Sequence, residues 1–171
     1  MLGDELLATP IYEATNFRSV YLPMGIWTRL SDNKVFPGKR VITIEAGDGT
    51  LPLFSRNGSV LPIGSNPMTL HYFPRLGGEF FLFENDLEDY SQVHAAPAGD
   101  FLRLEIESRK DRNYQWVVHH TDRPRKVEGC SEVQRVNLLR AGTWFYDARN
   151  RNLHVRRLVR AGEDVIVNVS F

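Results

Sequence analysis

Two carboxylates at i and i+2 of a β-strand project from one face about 7 Å apart, and Glu105 and Glu107 meet that condition. Paired carboxyl groups about 5 Å apart suit retention in glycoside hydrolysis, and about 6.5–9.5 Å suits inversion. Phe101 and Arg103 share the glutamates' face, however, while Leu102, Leu104 and Ile106 take the opposite one. Alternation therefore predicts a solvated outer face, and no catalytic residue is assigned. The cluster Glu84, Asn85, Asp86, Glu88 and Asp89 offers oxygen ligands for Ca²⁺. It lacks the EF-hand spacing and turn glycine, and reads as a solvated turn. His119 and His120 are adjacent, so on a strand they point to opposite faces and cannot chelate one metal together. His71, His94 and His154 show no ligand spacing and read as ordinary surface or half-buried residues. No metal and no cofactor is expected.

Nucleophilic chemistry has no foothold, since G-x-S-x-G, P-loop and dinucleotide fingerprints are all missing and the lone Cys130 has no nucleophile signature around it. Arg149, Arg151, Arg156, Arg157 and Arg160 form a basic run near Trp144 and Tyr146 that could meet nucleic acid as a continuous stripe. Asp147, Glu163 and Asp164 surround it, so a solvated hairpin is expected instead. Aromatic faces stack on sugar rings, and Trp144 and Tyr146 share one strand face at i and i+2. They are the two candidates for carbohydrate binding, against the alternative that large aromatics at such spacing in a small sandwich are core.

The elements that must position these residues are strands. Most apolar runs are short, rich in Val, Ile, Phe, Tyr or Trp, and bounded by Gly, Pro, Asn or Asp. Alternation marks residues 68–72, 101–108, 114–119 and 164–171 as strands. Gly47-Asp48-Gly49, Asn57-Gly58 and Gly77-Gly78 look like hairpin turns that use positive φ. One helix is a candidate: Ser131 and Gln134 form a capping box, Val133, Val136 and Leu139 follow at helical spacing, and Gly142 could end it. The fold class is thus all-β, with two consecutive β-sandwich-type domains and at most one short helix.

The chain has 171 residues, with 21 Lys+Arg against 21 Asp+Glu, so its formal net charge is zero. That balance argues against a nucleic-acid partner, and neither a signal peptide nor a membrane-spanning segment is recognisable, which leaves the compartment open. Two N-x-S sequons, at Asn57 and Asn168, carry little weight without a secretory signal. Seven of the nine prolines fall in the first 74 residues, and composition shifts near Gly64 to Pro67. The expected domains are 1–66 and 67–171. The first is small for an independent core, and its opening run Leu6 to Ile11 has no preceding element to pack against.

Met1 to Ile11 (MLGDELLATPI) is similar to the stretch that closes the catalytic barrel in glycoside hydrolase family 31, the α-glucosidase and α-xylosidase family. Arg18-Ser19-Val20-Tyr21-Leu22-Pro23 with Gly25-Ile26-Trp27 resembles the family's R-x-V-Y-L-P-x-G-x-W. Leu51 to Pro62 (LPLFSRNGSVLP) resembles its P-L-F-V-R-x-G-S-I-I-P. Gly78 to Asp86 resembles the strand and acidic turn F-x-L-Y-E-D-D-G that opens the distal domain, with Asn85 and Leu87 departing from the pattern. Trp144 to Asp147 and Leu153 to Val155 resemble that domain's last hairpin.

The resemblance implies the proximal and distal C-terminal β-sandwich domains of a retaining α-glycosidase. The family's catalytic aspartates lie on a barrel upstream of anything matching Met1. The expected partner is accordingly that barrel, the fragment alone is expected to be inactive, and Trp27 is expected to pack the first domain. A free-standing carbohydrate-binding or protein-interaction module is the alternative, with an oligo- or polysaccharide as partner. Self-association through an exposed Leu6, Leu7 and Ile11 surface is the third reading.

Overall fold

The computed structural model describes residues 5–10, 17–45 and 51–171 and divides the chain into two compact units, 1–57 and 58–171. In the first unit, Leu6–Ala8 (β1), Ile26–Arg29 (β3), Val35–Pro37 (β4) and Leu53–Arg56 (β6) form an antiparallel sheet in the order β1-β6-β3-β4. Phe17–Leu22 (β2) and Arg40–Glu45 (β5) pair with each other. Alternation decides what is inside: Val20 and Leu22 of β2 and Ile44 of β5 are buried with Trp27 and Phe54, while Ser19, Tyr21 and Thr43 face out. Trp27 packs this core as expected, its indole N–H donating to the Pro23 carbonyl at 3.0 Å. Leu6 and Leu7 are half-buried on β1, and Ile11 lies outside the described residues.

The second unit is a two-sheet sandwich. Its strands are Val60–Ile63 (β7), Met68–Tyr72 (β8), Gly78–Phe83 (β9), Tyr90–Ala98 (β10), Phe101–Glu107 (β11), Arg112–Val118 (β12), Lys126–Val127 (β13), Ser131–Glu132 (β14), Thr143–Asp147 (β15), Asn152–Val159 (β16) and Asp164–Ser170 (β17). Five form a sheet in the order β13-β17-β11-β10-β9 and six form β14-β15-β16-β12-β8-β7. Val93, Leu104, Ile106 and Val167 from one sheet meet Leu70, Trp116, Leu153 and Val155 from the other in one buried cluster, with the polar alternates turned outward. The four strands expected from alternation are present as β8, β11, β12 and β17. The division between units falls at Asn57/Gly58, ahead of the proline-rich shift at Gly64 to Pro67, because β7 hydrogen-bonds to β8 of the sandwich.

Two turn expectations are corrected. Asn57-Gly58 joins β6 to β7, which lie in different sheets, so the positive φ of Gly58 (96°) serves a crossover and not a hairpin. Gly77-Gly78 likewise leads from β8 in one sheet to β9 in the other, and neither residue has positive φ. What Gly78 provides is room: a Cβ there would lie 2.6 Å from the Gly58 carbonyl oxygen. Gly78→Ala is therefore expected to cost about 1–3 kcal/mol of overpacking strain, read as a lower urea midpoint with an unchanged slope. Gly47-Asp48-Gly49 lies outside the described residues.

The helix expected after Ser131 is also absent. Ser131 and Glu132 instead pair parallel with Thr143 and Trp144, the Ser131 N–H donating to Gly142 O and the Val133 N–H to Trp144 O. Only a 3-10 turn, Val136–Leu138, survives from the helical pattern. Of the expected apolar stripe only Leu139 is buried, with Val133 half-buried and Val136 exposed, and β-pairing satisfies the backbone at Ser131 and Val133. Gly142 does adopt positive φ (79°), in the tight turn closed by the Thr143 N–H on Arg140 O.

Candidate functional site

Glu84 follows β9, and its side chain is only 4% exposed, which corrects its reading as part of a solvated turn. Arg112, the first residue of β12, grips the carboxylate with both Nη atoms at 2.8 and 3.0 Å. The Ser91 hydroxyl donates to it at 2.7 Å, and Lys110 Nζ lies 3.3 Å away. The Arg112 guanidinium, ahead of Ser91 and Lys110, holds the Glu84 carboxyl down at about 2. Arg112 also donates to the Tyr114 hydroxyl at 3.2 Å, which is 2.9 Å from Ser108 Oγ. Glu84 and Ser91 belong to the five-stranded side and Arg112 and Tyr114 to the six-stranded side, so this network ties the two sheets at one end. Asn85, Asp86 and Glu88 are exposed as expected and Asp89 is half-buried, with Asp86 Oδ1 accepting the N–H groups of Glu88 and Asp89. Among the described residues no group of three or more His, Cys, Asp or Glu is arranged to hold a metal.

Histidines that show no pattern in sequence converge in the sandwich. Parallel pairing of β8 with β12 sets His71 opposite Val117, and antiparallel pairing of β16 sets His154 opposite the same residue. His71 Nδ1 lies 2.9 Å from His119 Nε2, and the His119 ring stacks on Phe73 with centroids 4.3 Å apart. Burial, reinforced by its histidine neighbours, pushes the His119 imidazole down to about 3; burial also lowers His71, His120 and His154. These side chains are neutral at physiological pH. The hydrogen-bonded pair packs as aromatic surface, His119 buried and His71 half-buried.

Glu105 and Glu107 point outward from β11, as alternation requires. Arg103 donates to both oxygens of Glu105, at 3.2 and 3.0 Å. The two glutamates, with Glu79, Gln92 and His94, line a shallow hollow of about 170 Å³. Beside it Phe81, Phe83 and Tyr90 stand exposed, Tyr90 meeting Phe81 and Phe83 edge-on with centroids 5.3 and 6.2 Å apart. Sequence reasoning passed over these three aromatics, although their positions at alternate residues of β9 and opposite it on β10 put them on the face that carries Glu105.

Trp144 and Tyr146 do not present an exposed aromatic pair. Trp144 is 5% exposed inside the sandwich core, and half-buried Tyr146 packs against that core with its hydroxyl donating to Thr121 O at 2.9 Å. The arginine run is likewise dispersed: Arg151 pairs with Asp122, Arg160 with Asp111, Arg156 donates to Leu139 O and Arg157 to Gly129 O. Half-buried Cys130 lies 3.6 Å from Arg157 Nη1.

Comparison with known proteins places these features. Residues 1–61 match the profile described as the glycosyl hydrolase family 31 C-terminal domain. The chain is similar to an α-glucosidase of Bacillus thermoamyloliquefaciens, 29% identical over 130 residues that make up 69% of this chain and 16% of that protein. All of the chain superposes on 26% of a dextranase from Flavobacterium johnsoniae, crystallised with isomaltotriose, at TM-score 0.85 and 19% identity. Nearly all of it (99%) superposes on 18% of a cycloalternan-forming enzyme from Listeria monocytogenes, crystallised with a pentasaccharide substrate, at TM-score 0.84 and 19% identity. The chain thus spans about a sixth to a quarter of the length of these proteins.

Proposed function

We propose, from the membership of residues 1–61 in the glycosyl hydrolase family 31 C-terminal domain family, that this chain is the C-terminal accessory region of a retaining α-glycosidase acting on α-glucosidic bonds. Its role is structural: it packs beside the catalytic barrel and supplies no catalytic carboxylate. The observation that carries the reading is the family match. Two features of the structure support it. The paired glutamates of β11 point outward, Glu105 half-buried and held by Arg103 and Glu107 exposed, so neither sits in a water-excluded cleft of the kind general-acid work uses. The outward face of β2 and β5 carries Phe17, Tyr21 and Val41, all more than half exposed, with Tyr21 directly opposite Val41. Apolar residues grouped in that way suit burial against a further domain. Likeness to a protein named α-glucosidase supports α-linked glucose oligosaccharides as the substrate class of the whole enzyme. The purified chain is expected to release no nitrophenol from an aryl α-glucoside above the buffer rate. Turnover that tracks the protein through purification would overturn the proposal.

A further inference from the structure

The five-stranded sheet turns two kinds of surface outward side by side. Antiparallel register stacks Glu79, His94 and Glu105 in one row across β9, β10 and β11, and Phe81, Gln92 and Glu107 in the next, with Phe83 and Tyr90 paired beyond. Phe81, Phe83 and Tyr90 are 38%, 59% and 36% exposed, although aliphatic neighbours on the same strands are buried or half-buried inward. Their mutual edge-on contacts hold the rings in place, so a ligand stacking on them has little side-chain freedom to remove. We propose that this aromatic shelf and the adjoining hollow form a binding surface for a neutral oligosaccharide.

The chemistry selects that ligand. An aromatic face is electron-rich and attracts the weakly positive C–H face of a pyranose. One strand spacing away, three carboxylates and the Gln92 amide present acceptors for sugar hydroxyls, and charged acceptors make the stronger bonds. No Lys or Arg lines the hollow, and nearby Arg103 is held by Glu105, so a phosphorylated or uronic ligand meets repulsion. At about 170 Å³ the hollow is smaller than pockets that enclose drug-sized molecules, about 300–1,000 Å³. It suits one ring of an oligosaccharide whose next ring lies on the shelf. A protein interface would need about 800 Å² per partner with an apolar centre, whereas this face sets its three rings beside three acids.

The choice of α-glucans as probes rests on the proposed function; the surface itself does not. Titrating the ¹⁵N-labelled chain with maltotriose and with isomaltotriose should shift amides of β9, β10 and β11, with a dissociation constant of about 1 mM. Tyr90→Ala should weaken binding at least about tenfold, a loss of one stacking ring, while its amide spectrum remains that of the folded chain because Tyr90 is exposed. Trp144→Phe, on the other sheet, should bind as the parent does. Absence of shifts for both trisaccharides, shifts centred on Trp144, or undiminished binding by Tyr90→Ala would overturn the proposal. So would a response to tetramethylammonium alone, which would assign the rings to a cation. None of these outcomes bears on inertness toward aryl α-glucosides, so the two proposals fail separately.

Discussion

Replacing Arg112 with alanine is expected to destabilise the sandwich by up to about 3–5 kcal/mol, because the buried Glu84 charge loses its two-pronged partner and keeps only Lys110 and the Ser91 hydroxyl. Glu84 is the charge in question: its side chain is 4% exposed, and Arg112 supplies both of its closest cationic contacts. The substitution also removes the donor to Tyr114 that connects the carboxylate to Ser108. Glu84→Gln should cost less, because the amide oxygen still accepts from Arg112 and the guanidinium, 17% exposed, keeps some access to water. The paired Glu84→Leu, Arg112→Met variant should recover much of the loss, since removing both partners avoids the orphaned group. Denaturant unfolding of the four proteins checks this. A loss of less than about 1 kcal/mol in Arg112→Ala would show that the ion pair is worth no more than an exposed one.

Acid should unfold the sandwich in two overlapping stages. The folded-state pKa of His119 is depressed to about 3, and those of His71, His120 and His154 are lowered too, so below about 6.5 the unfolded chain binds protons that the folded chain refuses. Stability is full above that pH and declines as pH falls toward about 3. Glu84, whose folded pKa is about 2, adds a second loss beginning near its ordinary value of about 4.5 and running down to about 2. For His119, 6% exposed, the shift corresponds to several kcal/mol, at about 1.4 kcal/mol per pKa unit. The groups that face these imidazoles are one another, Asp147 beside His154 and Arg151 beside His120. Asp147 favours protonation of His154, but burial outweighs it. Urea midpoints measured from pH 7.5 to 4 should fall steadily below about pH 6.5. His119→Phe should flatten the upper stage while leaving the Glu84 stage in place. A midpoint constant to pH 4.5 would contradict the burial described.

Much of this was legible in sequence because β-structure writes itself in period two. Leu102, Leu104 and Ile106 announced a half-buried strand, and β11 buries those residues while Glu105 and Glu107 face solvent. What sequence could not show is which strands become neighbours. Asn57-Gly58 and Gly77-Gly78 carry ordinary turn chemistry, yet each leads into a different sheet, because β7 and β9 pair forward with the next strand, β8 and β10, and not back with the strand before the turn. The same ambiguity hid the histidines, whose meeting depends on parallel pairing between β8 and β12. Ser131 to Gln134 read as a capping box because the local pattern was correct, and edge pairing with β15 overrode it. Trp144 and Tyr146 drew attention by type and spacing, but spacing gives only a shared face and does not say whether that face is the core. Phe81, Phe83 and Tyr90 had the same spacing signal and the opposite outcome.

The central claim is that this chain serves as the accessory region of a family 31 α-glycosidase, and the coding DNA on either side of it tests that most directly. A reading frame, continuous with Met1 or immediately adjacent, is expected to encode a barrel carrying the family's aspartate pair. A stop close upstream of Met1, with no barrel encoded nearby, would contradict it.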